Sequence, residues 1–474
     1  MTVLANAQRL MPGSRVLAQV VAVRELELIV SLPGQLLAHV PITSVSAELT
    51  ARLQASHDDD SEDDDEESDD EDDAPSLSTL FHVGQFVCAV VVSVKDSNRG
   101  GGTSAGSKGD ELSRAAGRVE LSLEPHKVNA PLKPSDIVHG LVVQASVKSE
   151  EENGFVLSLG IADLSSFVSF KDAAKASAED KLQVGQDVLC VIRKVAENGR
   201  TCTVTLDRAK VRDAKLASEA GVHALAPLQL VDALITARSP SGLSLKLFGL
   251  FDATIDRFHL AGKDPERDFT VGQRLVARVI WESLASEPKR VALSIAPHLV
   301  TLDTHLPTML EQAFPVGKTV NSATIARVDE DWGLTCVCHD DQGTMFPAFV
   351  HISNVSDEHL SRIPSTGAFA PGTTHQARVV GSASFDGLVQ LALKPSVLSR
   401  TFLRVADVKV GAKVSGTVRR LTPTALFVSI DGAVDAVVWP AHYSDVRLKQ
   451  AEKRFTPGKT VKGRVRLAFA SEVS

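Results

Sequence analysis

Five ring-bearing side chains in this sequence have the chemistry to stack on an unpaired nucleic-acid base. Trp332 and His351 stand beside polar residues, which favours a place on the surface. Phe155 and Phe427 lie within apolar runs, where a place in a hydrophobic core is an equal alternative, and Trp439 is the fifth ring. Each base that stacks on an exposed ring contributes about 1 to 3 kcal/mol to binding. These residues are therefore the candidate stacking surface for a single-stranded nucleic acid.

Basic residues are concentrated toward the end of the sequence. Arg419 and Arg420 stand together there, and a longer basic series follows them: Arg447, Lys449, Lys453, Arg454, Lys459, Lys462, Arg464 and Arg466. Lysine and arginine side chains bind phosphates, and the resulting affinity falls as salt rises. A solvated charged face is an equal alternative for the series. Arg419 and Arg420 are the predicted phosphate contacts.

Metal and catalytic motifs are weakly represented. Cys336 and Cys338, followed by His339, invite a metal interpretation, but strand alternation points both thiols to one face. No second ligand pair follows at the spacing of a zinc site, and no glycine-rich phosphate loop occurs. We therefore expect no enzyme activity, no metal, no cofactor and no small-molecule substrate.

A recurring phrase shows which elements must position these residues. Phe81-His82-Val83-Gly84-Gln85-Phe86-Val87-Cys88 returns as Gln183–Cys190 and Thr270–Ala277, and in weaker form around Gly372 and Gly458. A glycine permits the turn before a strand, and the residues after it alternate as a strand requires. The copies lie roughly 85 to 100 residues apart, which indicates an array of small domains.

A second phrase closes the first four copies with a short strand: Leu121-Ser122-Leu123, Val204-Thr205-Leu206, Leu293-Ser294-Ile295 and Leu391-Ala392-Leu393. With 474 residues and 5% aromatic residues, the chain is predicted to be an all-β tandem array of about five barrels joined by short helical linkers. The predicted repeats span residues 10–126, 132–211, 225–298, 313–396 and 401–474. The fifth repeat shows no closing phrase, so we expect a fragment of a longer protein or an incomplete gene.

Two insertions interrupt the first repeat. Residues 57–74 contain an acidic run with 14 of the acidic residues, so the rest of the chain has a net charge of +5 against −9 for the whole. Such a run cannot bury enough apolar surface to fold, and a glycine- and serine-rich loop follows at 97–117; both are predicted to be disordered. Ser61 and Ser68 precede acidic residues and are candidate phosphorylation sites.

The cysteines and the N-terminal residues indicate in which cellular compartment the protein is expected. The five cysteines mostly lie in apolar strand patterns without a disulfide framework, which predicts reduced thiols and an intracellular protein. No signal-peptide core and no apolar stretch of membrane-spanning length occurs, so no membrane association is expected.

The repeats resemble the S1-type RNA-binding domain, a five-stranded OB-fold barrel. The best match is Asp331-Trp332-Gly333 with Val350-His351-Ile352-Ser353, which is similar to the RNA-facing elements of that family. Asn153-Gly154-Phe155-Val156 and Phe427-Val428 each retain one aromatic residue, and Trp439 stands where the histidine would be. The resemblance implies that Trp332, His351, Phe155, Phe427 and Trp439 face RNA.

The whole chain resembles a larger family. Tandem repeats of this type interrupted by an acidic run are similar to the N-terminal part of the nucleolar ribosomal RNA-processing family, known in animals as the programmed cell death protein eleven family. The phrases His39–Thr43, Phe349–Asp357 and His442–Asp445 look like that family's loop after the third strand. The resemblance implies precursor ribosomal RNA, assembly factors and small nucleolar ribonucleoproteins as partners, and a nuclear, nucleolar location.

The expected function is therefore that of a non-catalytic RNA-binding scaffold of ribosome biogenesis, in which several weak modules act together. Two alternatives remain open from the sequence. The first is a protein-interaction array without direct RNA contact, which the low aromatic content and low positive charge favour. The second is a translation or RNA-decay factor, because the same domain occurs in such proteins.

Overall fold

The computed structural model describes residues 10–59, 76–95, 116–175, 182–197, 199–217, 221–283, 289–432, 434–443 and 451–467. The chain divides into two compact units. The first contains residues up to Met309 together with Ala383–Gly387, and the second contains Leu310–Ser382 and the residues from Leu388 onward.

The strands confirm the predicted all-β tandem array. In the first barrel they are β1 (Arg15–Val23), β2 (Glu27–Leu32), β3 (Leu36–Pro41), β4 (Phe86–Val94) and β5 (Val119–Ser122). The second barrel has β6 (Val142–Glu151), β7 (Gly154–Ser158), β8 (Ser165–Ser169), β9 (Asp187–Val195) and β10 (Thr201–Thr205). The third has β11 (Leu230–Ser239), β12 (Gly242–Leu247), β13 (Phe251–Asp256), β14 (Arg274–Ser283) and β15 (Arg290–Ser294).

The remaining strands form two further sheets. The fourth barrel has β16 (Thr319–Asp329), β17 (Gly333–His339), β18 (Met345–His351), β19 (Thr374–Ala383) and β20 (Leu388–Ala392). The fifth sheet has β21 (Lys413–Leu421), β22 (Leu426–Ile430), β23 (Val434–Val438) and β24 (Thr460–Arg464). Within the described residues the fifth sheet has the order β23-β22-β21-β24.

Each five-stranded barrel closes in the same way. The first strand pairs with the second and the fourth, and the fifth strand lies between the third and the fourth. The third and fifth strands run parallel, as in Ala348 opposite Val389, whereas the other ladders are antiparallel. This closure is the topology of an OB-fold barrel.

A β-bulge in the first strand recurs in every repeat. The register shifts in its ladder with the second strand between Val20/Ala22, Val147/Ser149, Ile235/Ala237, Ile325/Arg327 and Val418/Arg420. A bulge bends a strand and increases its twist. The bend lets one strand pair with the second strand at one end and with the fourth at the other.

The recurring glycine has a conformational cause. Gly185 and Gly272, which precede the fourth strands of their barrels, have φ of 89° and 87°. Residues with a side chain rarely adopt this left-handed region, whereas glycine does so readily. The turn therefore explains why the phrase that leads each fourth strand contains glycine.

Short helices connect and decorate the barrels. They are α1 (Ala47–Asp59), α2 (Leu77–Leu80), α3 (Pro125–Val128), α4 (Phe170–Ala173), α5 (Arg208–Asp213), α6 (Pro297–Thr301), α7 (Leu306–Ala313), α8 (Pro395–Leu398) and α9 (Ala451–Arg454). Helices α3, α6 and α8 each follow a closing strand and begin with proline, which suits the first helical position because its nitrogen lacks a hydrogen to donate. No helix in the described part of the chain is long and apolar enough to cross a membrane.

The predicted insertions of the first barrel fall largely outside the described residues. Helix α1 extends to Asp59, so residues 57–59 at the start of the predicted disordered insertion 57–74 are helical. Residues 60–75 and 96–115 lie outside the described ranges, and with them Ser61 and Ser68. Ala116, within the predicted loop 97–117, is buried against Ala22 and Ile29.

The three barrels of the first unit share their hydrophobic cores. Strand β1 pairs with β14, so the first and third barrels join in one ten-stranded sheet. One core cluster contains residues of the second and third barrels together, including Leu157 and Leu245. Another joins the first barrel to Val142 of the second and Trp281 of the third. The first unit is therefore a single packed body.

Candidate nucleic-acid interface

The fourth barrel brings Trp332 and His351 together. The indole and imidazole centroids are 6.0 Å apart, with ring planes at 69°. Trp332 lies in the turn between β16 and β17, where its N–H donates to Asp329 O at 2.9 Å and its carbonyl accepts from Ile352 N at 3.0 Å. His351 ends β18 opposite Gly333. The two rings are thus held at adjacent strand ends by backbone hydrogen bonds.

The hydrogen bonds of His351 assign its tautomer. The backbone N–H of Ser353 donates to Nδ1 at 3.2 Å, and the Ser353 hydroxyl lies 2.7 Å from the same nitrogen. Because Nδ1 accepts, Nε2 carries the proton of the neutral ring. Partial burial lowers the pKa of His351 below its ordinary value, which favours this neutral form. The exposed side chain therefore offers an N–H donor beside the indole.

The charges beside Trp332 are paired. Arg362 Nε lies 2.9 Å from Asp331 Oδ1, and Arg327 Nε lies 2.9 Å from Asp329 Oδ1. Burial raises the pKa of Asp329, and the attraction of Arg327 opposes that rise. Both members of the Arg362 pair are highly exposed, so water screens their attraction. A phosphate group can compete with such a carboxylate for the guanidinium.

The fifth sheet brings Arg420 over Phe427. The guanidinium carbon lies 4.3 Å from the ring centroid, within the range of a cation–π contact. The two residues are partners across β21 and β22, directly after the bulge in β21. Phe427 is half-buried and Arg420 is exposed. Arg420 and Phe427 therefore lie on the same face of the sheet, with the charged group stacked on the ring.

Trp439 and Arg419 lie nearby in the same sheet. Trp439 directly follows β23 and is 58% exposed. Phe427 pairs with Val437, and Trp439 follows two residues later, in extended backbone just beyond the strand. Arg419 Nη1 lies 3.4 Å from Asp435 Oδ2 on the exposed surface. Of the two predicted phosphate contacts, Arg419 is therefore paired with a carboxylate, whereas Arg420 is stacked on a ring.

Phe155 belongs neither to the Trp332–His351 pair of the fourth barrel nor to the Arg420–Phe427 face of the fifth sheet. It is 3% exposed and faces the interior of the second barrel, where its ring meets that of Phe170 at 5.3 Å and 86°. A base cannot reach a ring inside a closed core, so the structure corrects the expectation that Phe155 faces RNA. Phe170, which is 40% exposed, is the accessible ring of that pair.

Two buried arginines donate hydrogen bonds to the segments that link the barrels, and neither residue was predicted from the sequence to have a role. Arg278 donates to the carbonyls of Arg212 at 2.7 Å and Val300 at 2.6 Å, and also to that of Leu228. Arg378 donates to Gly317 O and Val397 O, each at 3.1 Å. Both occur in the triplet Ala-Arg-Val of a fourth strand, and this shared triplet was the available signal. Both guanidinium groups are buried and donate to backbone carbonyls, so they cannot contact phosphate.

The cysteine pair of the fourth barrel has the surroundings of core thiols. Cys336 and Cys338 are buried, and burial raises the pKa of Cys336 to about 12 and that of Cys338 to about 11. Metal ligation requires the thiolate, which these surroundings disfavour. Among the described residues, no group of three or more His, Cys, Asp or Glu side chains is placed to hold a metal ion.

The barrels and their strand order define the class: a protein built of tandem OB-fold domains. Residues 309–403 match a protein family described as the RRP5 OB-fold domain. The rRNA biogenesis protein rrp5 of Schizosaccharomyces pombe is 32% identical over 464 residues, which are 96% of this chain and 26% of that protein. The RRP5 homologs of Mus musculus and Homo sapiens are each 27% identical over 98% of this chain and 23% of their own length.

The chain belongs to the RRP5 family. It spans about a quarter of the length of the curated relatives it matches.

Proposed function

We propose that this chain is a non-catalytic RNA-binding scaffold of ribosomal RNA biogenesis. The observation that carries the proposal is the Trp332–His351 pair, a half-buried indole ring beside an exposed imidazole with an oriented N–H donor, at the end of an OB-fold strand pair. Sequence-specific and sequence-tolerant RNA recognition both rely on unpaired bases that stack on aromatic rings. The relatives named rRNA biogenesis proteins support ribosomal RNA as the ligand class.

The second contact surface is the fifth sheet. The guanidinium of Arg420, held over the Phe427 ring, offers a plane and a charge to one nucleotide, and Trp439 offers an exposed ring in the same sheet region. A stacked guanidinium keeps its plane parallel to the aromatic face and still binds phosphate with its outer N–H groups. Stacking is expected to dominate at the fourth barrel, whereas phosphate contact contributes more at the fifth sheet.

On this proposal, the affinity of the chain for RNA comes from several weak binding sites that act together. Only +5 net charge remains outside the acidic run, and the basic residues are concentrated in the fifth repeat, so the other repeats supply little electrostatic attraction for phosphate. Two weak sites on one chain raise each other's effective concentration and together bind far more tightly than either alone. The proposed partners are precursor ribosomal RNA, assembly factors and small nucleolar ribonucleoproteins, and the proposed location is the nucleus and nucleolus.

The test is RNA binding by the whole chain, measured by fluorescence anisotropy with a labelled single-stranded RNA. Trp332→Ala combined with His351→Ala is expected to weaken binding by about tenfold, the loss of roughly one stacked base. Phe346→Leu, a conservative change at a ring that is 9% exposed in the same barrel, is the control and should leave affinity near the wild-type value.

The rival function is a protein-interaction array without RNA contact. It would be favoured if the wild-type chain bound RNA no better than an acidic protein of equal net charge while assembly factors still co-purified with it. The third possibility, a translation or RNA-decay factor, predicts crosslinks in cells to messenger RNA rather than to ribosomal RNA precursors.

A further inference from the structure

Strands β21 and β24 of the fifth sheet carry six polar side chains on one of their two faces. Residues that pair across a ladder project to the same side of a sheet. The pairs in this ladder are Lys413–Arg464, Ser415–Lys462 and Thr417–Thr460. These six residues, here called the β21–β24 face, therefore form one surface of three cations and three hydroxyl groups.

The opposite side of the same two strands faces the core. Val418 is buried and packs with the half-buried Val461 in the core cluster of this sheet. Gly416, which also alternates with the polar residues, is buried. All six residues of the β21–β24 face are exposed. The face therefore lies on the outside of the sheet, where a ligand can reach it.

The β21–β24 face contains no carboxylate. The strand segments Lys413–Leu421 and Thr460–Arg464 contain neither aspartate nor glutamate. The ion pairs of the fifth repeat, among the residues that the structure describes, are Arg404–Asp407 and Arg419–Asp435, and neither includes a residue of the face. The charges of the face are thus available to an external anion.

Lys413 and Arg464 are like charges placed directly opposite each other, and such pairs destabilise an antiparallel ladder. Lys462 is the diagonal neighbour of Lys413, at a distance of about 7 to 8 Å. Three cations are therefore close enough to contact neighbouring phosphates of one backbone. Proteins accept a local cost of this kind at functional sites, where a ligand compensates for it.

Arg464 belongs to a series of arginines at the same place in their strands. Its Nη1 lies 3.2 Å from the carbonyl oxygen of Gly411, two residues before β21. Arg278 and Arg378 each donate to the carbonyl two residues before the first strand of their own barrels. Those two arginines are 0% and 8% exposed, whereas Arg464 is exposed. The bond to Gly411 therefore holds the Arg464 guanidinium at the surface.

The bulge in each first strand identifies the equivalent face in other repeats. In the first two barrels this face is buried or half-buried, and its pairs are Arg15–Val90, Leu17–Cys88, Gln19–Phe86, Val142–Val191, Gln144–Leu189 and Ser146–Asp187. In the third barrel the carboxylate of Asp232 is exposed at the place of Ser415. Compared with these three barrels, the fifth sheet differs in presenting an exposed face with cations and no carboxylate.

The composition of the β21–β24 face selects the class of its ligand. The centre of a protein interface is apolar and depleted of charge, and this face has no apolar side chain. Single-stranded RNA binds through bases that stack on rings, and this face has no ring. Double-helical RNA is recognised through phosphates and 2′-hydroxyls across a wide, shallow minor groove. Ammonium, guanidinium and hydroxyl groups are complementary to that backbone.

We infer that the β21–β24 face binds the sugar-phosphate backbone of double-helical RNA. Lys413, Lys462 and Arg464 contact phosphates, and the hydroxyls of Ser415, Thr417 and Thr460 donate to backbone oxygens. The inference rests on the proposed RNA-binding function and adds a second class of RNA to it. Unpaired bases stack on the rings of the fourth barrel and the fifth sheet, whereas a paired segment lies on the β21–β24 face.

The test compares two probes on the full chain: a blunt RNA duplex of about 16 base pairs, the length that double-stranded RNA-binding domains span, and an oligouridine of about 12 nucleotides. Lys413→Gln/Lys462→Gln is expected to weaken duplex binding about tenfold at moderate salt. The slope of log affinity against log salt should fall by about 2, or about 1 for each lost phosphate contact. Oligouridine binding should change little, because the face has no ring.

The matched control is Lys453→Gln/Arg454→Gln. It removes the same charge from exposed positions on α9 of the same repeat and should leave duplex affinity near the wild-type value. An equal loss of duplex binding in the control would show that net charge alone attracts RNA, and would overturn the face.

Thermal unfolding separates binding from folding. Lys413→Gln removes one of two opposed cations, so its melting temperature should rise slightly while its affinity for the duplex falls. A structural role for Lys413 predicts the opposite sign, a lower melting temperature together with weaker binding. That result would also overturn the inference.

The outcomes distinguish this inference from the proposed function. If the chain binds oligouridine through Trp332 and His351 but does not bind the duplex, the face is wrong and the proposed function stands. If the chain binds neither RNA, both fail. Duplex binding that Lys413→Gln/Lys462→Gln leaves unchanged, while the same variant loses binding to polyglutamate, would assign the face to an acidic polypeptide and overturn the inference.

Discussion

Arg15 of the first barrel forms a buried ion pair with Glu282 of the third barrel, and the two side chains are 1% and 3% exposed. They are partners in the short ladder between β1 and β14. Residues 267 positions apart in sequence are thereby joined inside a continuous sheet. Packing of the first three repeats is therefore specific.

This pair leads to a stability prediction. Arg15→Met removes one partner and leaves the Glu282 charge buried, which typically costs about 3 to 5 kcal/mol. The double variant Arg15→Met/Glu282→Leu should recover much of that loss, since two apolar side chains replace both charges. Urea unfolding of the chain, followed by tryptophan fluorescence, measures both effects; Trp281 lies in the same ladder.

The exposed pair of Lys215 and Asp232, 2.6 Å apart, provides the control. Lys215→Met should change the unfolding midpoint little, because exposed ion pairs contribute little to stability. An equal loss in Lys215→Met and Arg15→Met would show that burial of the Arg15 pair has no special role.

A second prediction concerns Asp187, which is buried and has no hydrogen-bond partner for either carboxylate oxygen among the residues that the structure describes. Burial, and then the negative charges of Glu48 and Glu124, raise the pKa of Asp187 well above its ordinary value. A raised acid pKa means that the folded state holds a proton which the unfolded state releases, so stability falls as pH rises.

Asp187→Asn keeps the shape and removes the ionisation. The variant is expected to melt at a higher temperature than the wild type at pH 8, and the difference should shrink as pH falls toward the ordinary aspartate pKa of about 3.9. Thermal unfolding by circular dichroism across this range measures the difference. A gap in melting temperature that stays constant with pH would contradict the assignment.

A third prediction separates the two arginines of the fifth sheet. Arg420→Lys keeps the charge but loses the planar group over Phe427, so RNA affinity should fall several-fold with little change in the salt slope. Arg419→Ala should have a smaller effect, since Arg419 already pairs with Asp435. Binding isotherms at several salt concentrations test both. Equal effects of the two changes would argue against stacking at Phe427.

A fourth prediction addresses the protonation of His351. Partial burial lowers its pKa, so the imidazole should titrate below its ordinary value of about 6.5 and remain neutral at pH 7. NMR of the ring nitrogens should show a protonated Nε2 and an unprotonated Nδ1, as the bond from Ser353 N requires. A protonated Nδ1 at neutral pH would contradict the proposed donor.

Short local sequence patterns were sufficient to predict much of this fold. The glycine before each fourth strand needs a left-handed φ, and the residues after it alternate between core and surface, so the number of repeats and their β class could be predicted from spacing alone. The Trp332 and His351 positions could be predicted because short motifs mark both sides of the same strand pair.

The faces of the strands were decided only by the tertiary structure. The segment Gly154–Ser158 carries apolar residues on both of its faces, and a shift of one residue in register would exchange Phe155 with Val156. The ladder to β8 turns Phe155 inward and leaves Phe167 accessible, which local sequence could not reveal.

Contacts between distant repeats were likewise beyond local sequence. Arg15 and Arg278 read as ordinary surface cations, yet both are buried at 0 to 1% exposure because partners from other segments surround them. A carboxylate 267 residues away pairs with the first, and carbonyls of two linkers accept hydrogen bonds from the second. Burial of a charge depends on partners that only the folded chain brings together, so the sequence determined the repeats and the tertiary structure determined which of their charges and rings remain free to bind.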